Sequence, residues 1–200
     1  MTTWLSSLIE KAAKQKDVRS SWLKSFSPLF IYGTGTFAQD VCRVLIDNGL
    51  PVDGFIDHMT RDNPFLHGMP IYSPEQAARV TSVSGKAVVV LGIHNYQADI
   101  AKIINRLVNT GFKKILNSVD LYDFYGRELG TRYWLTSRDY YFPLQRVLEE
   151  MHSLWADDAS RSLFRAIIEF RLTGNTSKLP VPDLANLYHP SDICAPTVHT

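Results

Sequence analysis

Between residues 28 and 117 the apolar residues repeatedly change their period, and a chain patterned this way can bury itself in few ways. Pro28-Leu-Phe-Ile-Tyr32 is a short apolar run that stops at Gly33-Thr-Gly35, after which Phe37, Val41, Cys42, Val44 and Leu45 recur at helical spacing up to Asn48-Gly49. Residues 51–56 read as a second strand ending at Asp57, followed by a polar loop with Arg61, Asp62, Asn63 and Pro64. A short extended segment at Met69 to Tyr72 leads into a helix from about Pro74 to Val80, which Ser73 caps. Residues Lys86 to Leu91 form an unbroken β-branched run, the pattern of a strand buried on both faces of a parallel sheet. A helix capped by Asn95 and carrying Ile100, Ile103, Ile104 and Leu107 then closes at Asn109 to Gly111, and Lys113 to Leu116 is a last short strand. This alternation specifies an α/β fold, a doubly wound parallel sheet.

The flanks are patterned differently. Trp4, Leu5, Leu8, Ile9, Ala12 and Ala13 recur behind a capping Thr3, which predicts an amphipathic helix ending near Lys16, with Trp22, Leu23 and Phe26 extending its apolar face. Lys11, Lys14, Lys16, Arg19 and Lys24 outnumber Glu10 and Asp17 there, so a membrane-surface role competes with the commoner one of covering a sheet or a partner. Beyond Asp120 the alternation stops: aromatic residues crowd Tyr122 to Tyr141, and two helices follow. One carries Leu144, Val147, Leu148, Met151 and Leu154; the other opens at Asp157-Asp158 and stops at Thr173-Gly174. The expected organisation is an N-terminal amphipathic helical segment (1–27), the sheet domain (28–120), a helical extension (121–174) and an extended tail or linker (175–200) with four prolines and no glycine.

Charge and cysteine usage narrow the partners. With 21 Lys and Arg against 20 Asp and Glu, no global field draws in nucleic acid. Cys42 and Cys194 show no redox or zinc spacing and the six histidines form no H-x-x-x-H or Cys/His cluster, so no metal is expected and a cytoplasmic setting fits best. No signal peptide or membrane span is expected, and the acceptor motif Asn175-Thr176-Ser177 is disregarded accordingly.

The strongest chemical signal is Gly33-Thr34-Gly35-Thr36-Phe37-Ala38, a G-x-G-x-x-A turn between a strand and a helix. The first glycine permits the bend, the second lets phosphate approach the backbone, and the small third residue lets helix and strand pack, while the helix N-terminus supplies amides and partial positive charge. Asp57 stands at the end of the second strand, where a carboxylate accepts ribose hydroxyls, and Arg61 leaves room for a 2′-phosphate. The opposite wall of such a crevice comes from the loop after the strand that starts the other half of the sheet, so Gly92, His94 and Asn95 are further candidate ligand contacts. The competing account makes both glycines of the turn a bare connection, Asp57 a loop cap and His94 a packing residue. No tyrosine has a lysine four residues later and no serine sits in a G-x-S-x-G elbow, which removes two common catalytic arrangements. The aromatic stretch from Tyr133 to Phe142 lacks interleaved lysines and reads as core or interface.

Two parts of the chain resemble known families. Phe30-Ile-Tyr-Gly-Thr-Gly35, Val52-Asp-Gly-Phe-Ile-Asp57, Gly68-Met-Pro70 and Val88-Val-Val-Leu-Gly92 are similar to the Rossmann-like N-terminal domains of sugar O-acetyltransferases, which bind a UDP-sugar. Leu154-Trp-Ala-Asp-Asp-Ala-Ser-Arg161, Phe170-Arg-Leu-Thr-Gly174, Leu179-Pro180 and Tyr188 resemble the segment that precedes the S-adenosylmethionine-binding fold in FkbM-family methyltransferases with an extra N-terminal domain. No glycine follows Gly174, so the glycine-rich turn of an adenosylmethionine fold has no counterpart there, and methyl transfer is expected of a longer parent chain.

The resemblance therefore implies a nucleotide or sugar-nucleotide binding module, non-catalytic alone, that serves a C-terminal methyltransferase domain. Nucleotide, UDP-sugar and NAD are its candidate ligands, with S-adenosylmethionine confined to the parent. Two alternatives stay open. One is an NAD-dependent oxidoreductase taking its acid from His94 or an aromatic-segment tyrosine; the other is a scaffold or homo-oligomerisation domain with a degenerate pocket.

Overall fold

The computed structural model describes residues 3–25, 28–58, 64–80, 86–94, 98–132 and 135–179. In chain order these form α1 (Trp4–Lys24), β1 (Leu29–Tyr32), α2 (Thr36–Asp47), β2 (Gly54–Ile56), β3 (Phe65–Leu66), β4 (Met69–Tyr72), α3 (Pro74–Val80), β5 (Val88–Leu91), α4 (Ile100–Asn109), β6 (Lys114–Leu116), α5 (Ser118–Leu129), α6 (Gln145–Leu154) and α7 (Asp158–Thr173). Two short 3-10 turns, Arg138–Tyr140 and Phe142–Leu144, precede α6. The sheet runs β3-β4-β2-β1-β5-β6, parallel throughout except for the antiparallel β3–β4 hairpin. The expected Rossmann-like, doubly wound α/β sheet with an N-terminal helix and a helical extension is what forms.

The winding follows from side-chain alternation. Along β1, Leu29 and Ile31 point into one core, with Val41, Cys42 and Leu45 of α2 and Val119 and Leu121 of α5. Phe30 and Tyr32 point into the other, with Ala77 of α3, Leu107 of α4 and Phe112. Both cores are needed because β1 and β5 are buried along their whole length, and at about 25 cal/mol per Å² such apolar runs are stable only when covered on both faces.

Several boundaries differ from expectation. α1 does not stop near Lys16 but continues to Lys24. The polar loop after Asp57 gives way to β3. α4 begins at Ile100 with Asp99 as its cap, accepting from the Lys102 N–H at 2.9 Å, in place of the expected Asn95. Asn95 itself lies outside the described residues, as do Phe26, Arg61–Asn63, Tyr133, Trp134 and the tail from residue 180. α5 was not expected, and it spans the boundary drawn at residue 120 while packing Val119, Leu121, Tyr122 and Leu129 into the sheet core.

A third core joins the two ends of the chain, with Leu5 and Ala12 of α1 packed against Leu148 of α6 and Ile168 and Leu172 of α7. Beside it lies a buried charge cluster. The Arg138 side chain, fully buried, donates to Asp120 Oδ1 at 2.6 Å, to the Leu172 carbonyl at 2.5 Å and to Asp123, and Arg19 of α1 also donates to Asp120. Four segments distant in sequence thus share one electrostatic knot. Among the described residues no helix is long and apolar enough to cross a membrane.

Candidate functional site

β1 ends at Tyr32 in register with Ile56 of β2 and Leu91 of β5, so the loops that follow these three strands emerge side by side at the carboxyl edge. The chain winds away from β1 in both directions there, the position at which open α/β sheets hold ligands. Gly33 turns the chain at φ +104° and donates its N–H to the Ile56 carbonyl at 2.7 Å. A Cβ at Gly33 would lie 2.7 Å from Ile93 Cγ1, so the apolar side chain after β5 occupies that place. Gly92 is fixed by packing: its Cβ would meet Ala38 Cβ at 2.6 Å, and this close approach brings α2 onto β5.

Gly35 differs from both. It is the N-cap of α2 at an ordinary φ of −73°, no side chain caps the helix, and a Cβ there would meet nothing within 4 Å. Gly35 and Thr36 are exposed, whereas Phe37 and Ala38 turn into the core. The Thr34 hydroxyl donates to Asp57 Oδ2 at 2.7 Å, both residues being buried. The expected carboxylate and the glycine turn are therefore joined directly across adjacent strands. His58 Nδ1 stands 3.4 Å from Asp57 Oδ1. Gln39 of α2 donates to the Thr34 carbonyl at 3.2 Å and meets His67 Nε2 at 3.0 Å. His67 and Gly68, at φ +51° and +76°, form the β3–β4 turn, so the hairpin leans over the start of α2. A two-residue X-Gly turn between extended segments was the sequence signal for this contact.

No protein-family model matches the chain, and no curated protein matches it in sequence. A crystal structure of methyltransferase FkbM from Methylobacillus flagellatus KT does match, with a TM-score of 0.58 and 18% identity over 84% of this chain. The fold is shared. This chain spans 47% of the length of that methyltransferase, about half of it.

His94 turns away from the glycine turn toward the helical extension. Its Nδ1 lies 3.0 Å from the Ser118 hydroxyl and its ring stacks on Phe170 of α7, at 5.9 Å between centroids. Burial, reinforced by the nearby Arg171 charge, pushes its pKa down to about 4, so it is neutral at pH 7. The structure thus brings together Gly33, Thr34, Gly35, Thr36 and Asp57, and gives Phe37, Gly92 and His94 packing surroundings. Among the described residues no group of three or more His, Cys, Asp or Glu side chains is arranged to hold a metal.

Proposed function

We propose that this chain is a nucleotide or sugar-nucleotide binding module of a longer FkbM-like methyltransferase, with a diphosphate seated over Gly35 and a ribose at Asp57. The observation that carries this reading is the open, side-chain-free start of α2 at Gly35, one residue from the Thr34–Asp57 pair at the sheet's switch point. A helix start of this kind favours an anion through its dipole and amides. A carboxylate has about four lone-pair sites, so Asp57 can accept a ribose hydroxyl beside the Thr34 hydrogen bond. The motif similarity to sugar O-acetyltransferase domains favours a UDP-sugar over NAD. The oxidoreductase alternative is weakened, since His94 faces Ser118 and Phe170. Methyl transfer is assigned to a further domain of such a protein.

Titration with UDP, UDP-sugars, NAD and S-adenosylmethionine while following thermal unfolding tests the proposal. A ligand at ~100 times its dissociation constant adds about 2.7 kcal/mol, or roughly 5–10 °C for a chain of this size. The expected result is a shift with UDP or a UDP-sugar that disappears in Gly35→Trp, a variant whose unliganded melting temperature stays close to wild type because its side chain enters open space. No shift with any of the four compounds ends the reading.

A further inference from the structure

The apolar positions of α6 fall into two stripes. Leu148 turns inward to the core that it shares with Leu5, Ile168 and Leu172, whereas Val147, Met151 and Leu154, at helical spacing, face outward. On α7, Leu163 and Ile167 repeat the outward pattern. His152 accepts from Arg165 Nε at 2.9 Å and the Trp155 ring lies 6.2 Å from that of Phe164. The two helices therefore run antiparallel, with Leu154 roughly level with Leu163 and Met151 with Ile167. These five side chains and Trp155 are 40–81% exposed. Other exposed large apolar side chains of the described residues, such as Val18, Ile46 and Phe65, stand singly on separate elements. A helix apolar on its outer face as well as its inner one is suited to burial on both.

We propose that a second copy of this chain covers the face, the two α6–α7 hairpins packing antiparallel about a two-fold axis as a four-helix layer. The area fits such a partner. The six side chains expose on the order of 500 Å² of apolar surface, near the upper end for a monomer. A standard interface of ~800 Å² per partner, about 65% apolar as in homodimers, needs nearly the same amount. Charge favours a copy too. Around the patch Arg146, Arg161 and Arg165 stand against Glu150, Asp157 and Asp158, a balance that selects neither an anionic lipid surface nor a strongly charged partner. Along the hairpin the charges are nevertheless ordered: Asp157 and Asp158 outnumber Arg161 at the turn between the helices, while Arg146 lies at the opposite end. Reversing one copy on the other sets acid against Arg146 at both ends, the self-complementarity that a two-fold interface requires. Arg146 and Asp158 pair along their own helices with Glu150 and Arg161, in exposed bridges that rearrange at little cost. The assignment is independent of any ligand at Gly35.

Sedimentation equilibrium of the full chain at micromolar concentration tests it, and the mass of a dimer is expected. Leu154→Arg, at the most exposed of the six positions, is expected to keep the helical circular dichroism spectrum and to raise the dimer dissociation constant at least ~30-fold, the loss of a hot spot. Val18→Arg, an exposed apolar position on α1, is expected to leave the dimer intact. Asp158→Arg and Arg146→Asp are each expected to weaken association several-fold, and the two together to restore it. A monomeric wild type overturns the proposal, as does a dimer that Leu154→Arg leaves unchanged, since the copies then meet elsewhere. A double variant no tighter than either single one overturns the antiparallel arrangement. A monomer that sediments with phosphatidylcholine vesicles only while Leu154 is intact gives the face to a lipid surface and equally overturns the proposal.

Discussion

Adding one methyl group at Gly92 and one at Gly35 should have different consequences, because the two positions meet different surroundings. At Gly92 the new carbon falls 2.6 Å from Ala38 Cβ and 2.7 Å from Ala38 Cα, against helix backbone that cannot yield cheaply. Gly92→Ala is expected to lower stability by ~1–3 kcal/mol, the usual range for overpacking, whereas Gly35→Ala stays within ~0.5 kcal/mol; urea midpoints measure both. His94 makes a second prediction at this scale. Its folded pKa of about 4 lies below the ordinary 6.5, so between these values the unfolded chain binds more protons than the folded one. The stabilisation is complete above pH 6.5 and is lost as pH falls toward 4, by up to ~3 kcal/mol. Urea midpoints at pH 7, 5.5 and 4.5 should fall less steeply in His94→Asn than in wild type.

Among the elements, the knot around Arg138 decides how the helical extension is attached. Two carboxylates, Asp120 and Asp123, share this one fully buried guanidinium, and Asp120 is itself fully buried. Arg138→Met should therefore cost ~3–5 kcal/mol in chemical denaturation, since it strands buried charge. Lys16→Ala breaks a pair with the exposed Asp139 and should cost less than ~1 kcal/mol. None of this was legible in the sequence, because the partners are 18 and 101 positions apart. β1, β5, α2 and α3 were legible, each being a clean period bounded by glycine, proline or a capping serine. α5 was hidden by Gly126 inside it and by a kink at Tyr125, whose φ of −133° is not helical. Its capping box was visible all the same: Asn117 accepts from the Asp120 N–H while Asp120 accepts from the Asn117 N–H. α1 was cut short because Lys14 to Ser21 contains one apolar residue, Val18. There Arg19 and Lys16, through Asp120 and Asp139, replace apolar periodicity as the support. At the candidate site, the glycine turn and Asp57 were readable from spacing, whereas the hydroxyl that joins them required the adjacent strand register.

The whole molecule consists of interlocked layers, since Leu23, Val119 and Phe170, from three distant parts of the chain, share the sheet core. Circular dichroism and the fluorescence of Trp4, which lies in the α1–α6–α7 layer, should accordingly report one coincident unfolding transition. A fragment limited to residues 28–120 loses Leu129, Leu135 and Phe170 from that core and is expected to be unfolded in solution by amide NMR. The joining of the first helix to the last ones also bears on biosynthesis. Leu5 is synthesised well before its neighbours Ile168 and Leu172. At 5–20 residues per second the greasy stripe of α1 waits roughly ten to thirty seconds for its cover. Throughout that interval it is a natural target for chaperones, and synonymous codons that slow elongation before residue 168 would lengthen the exposure.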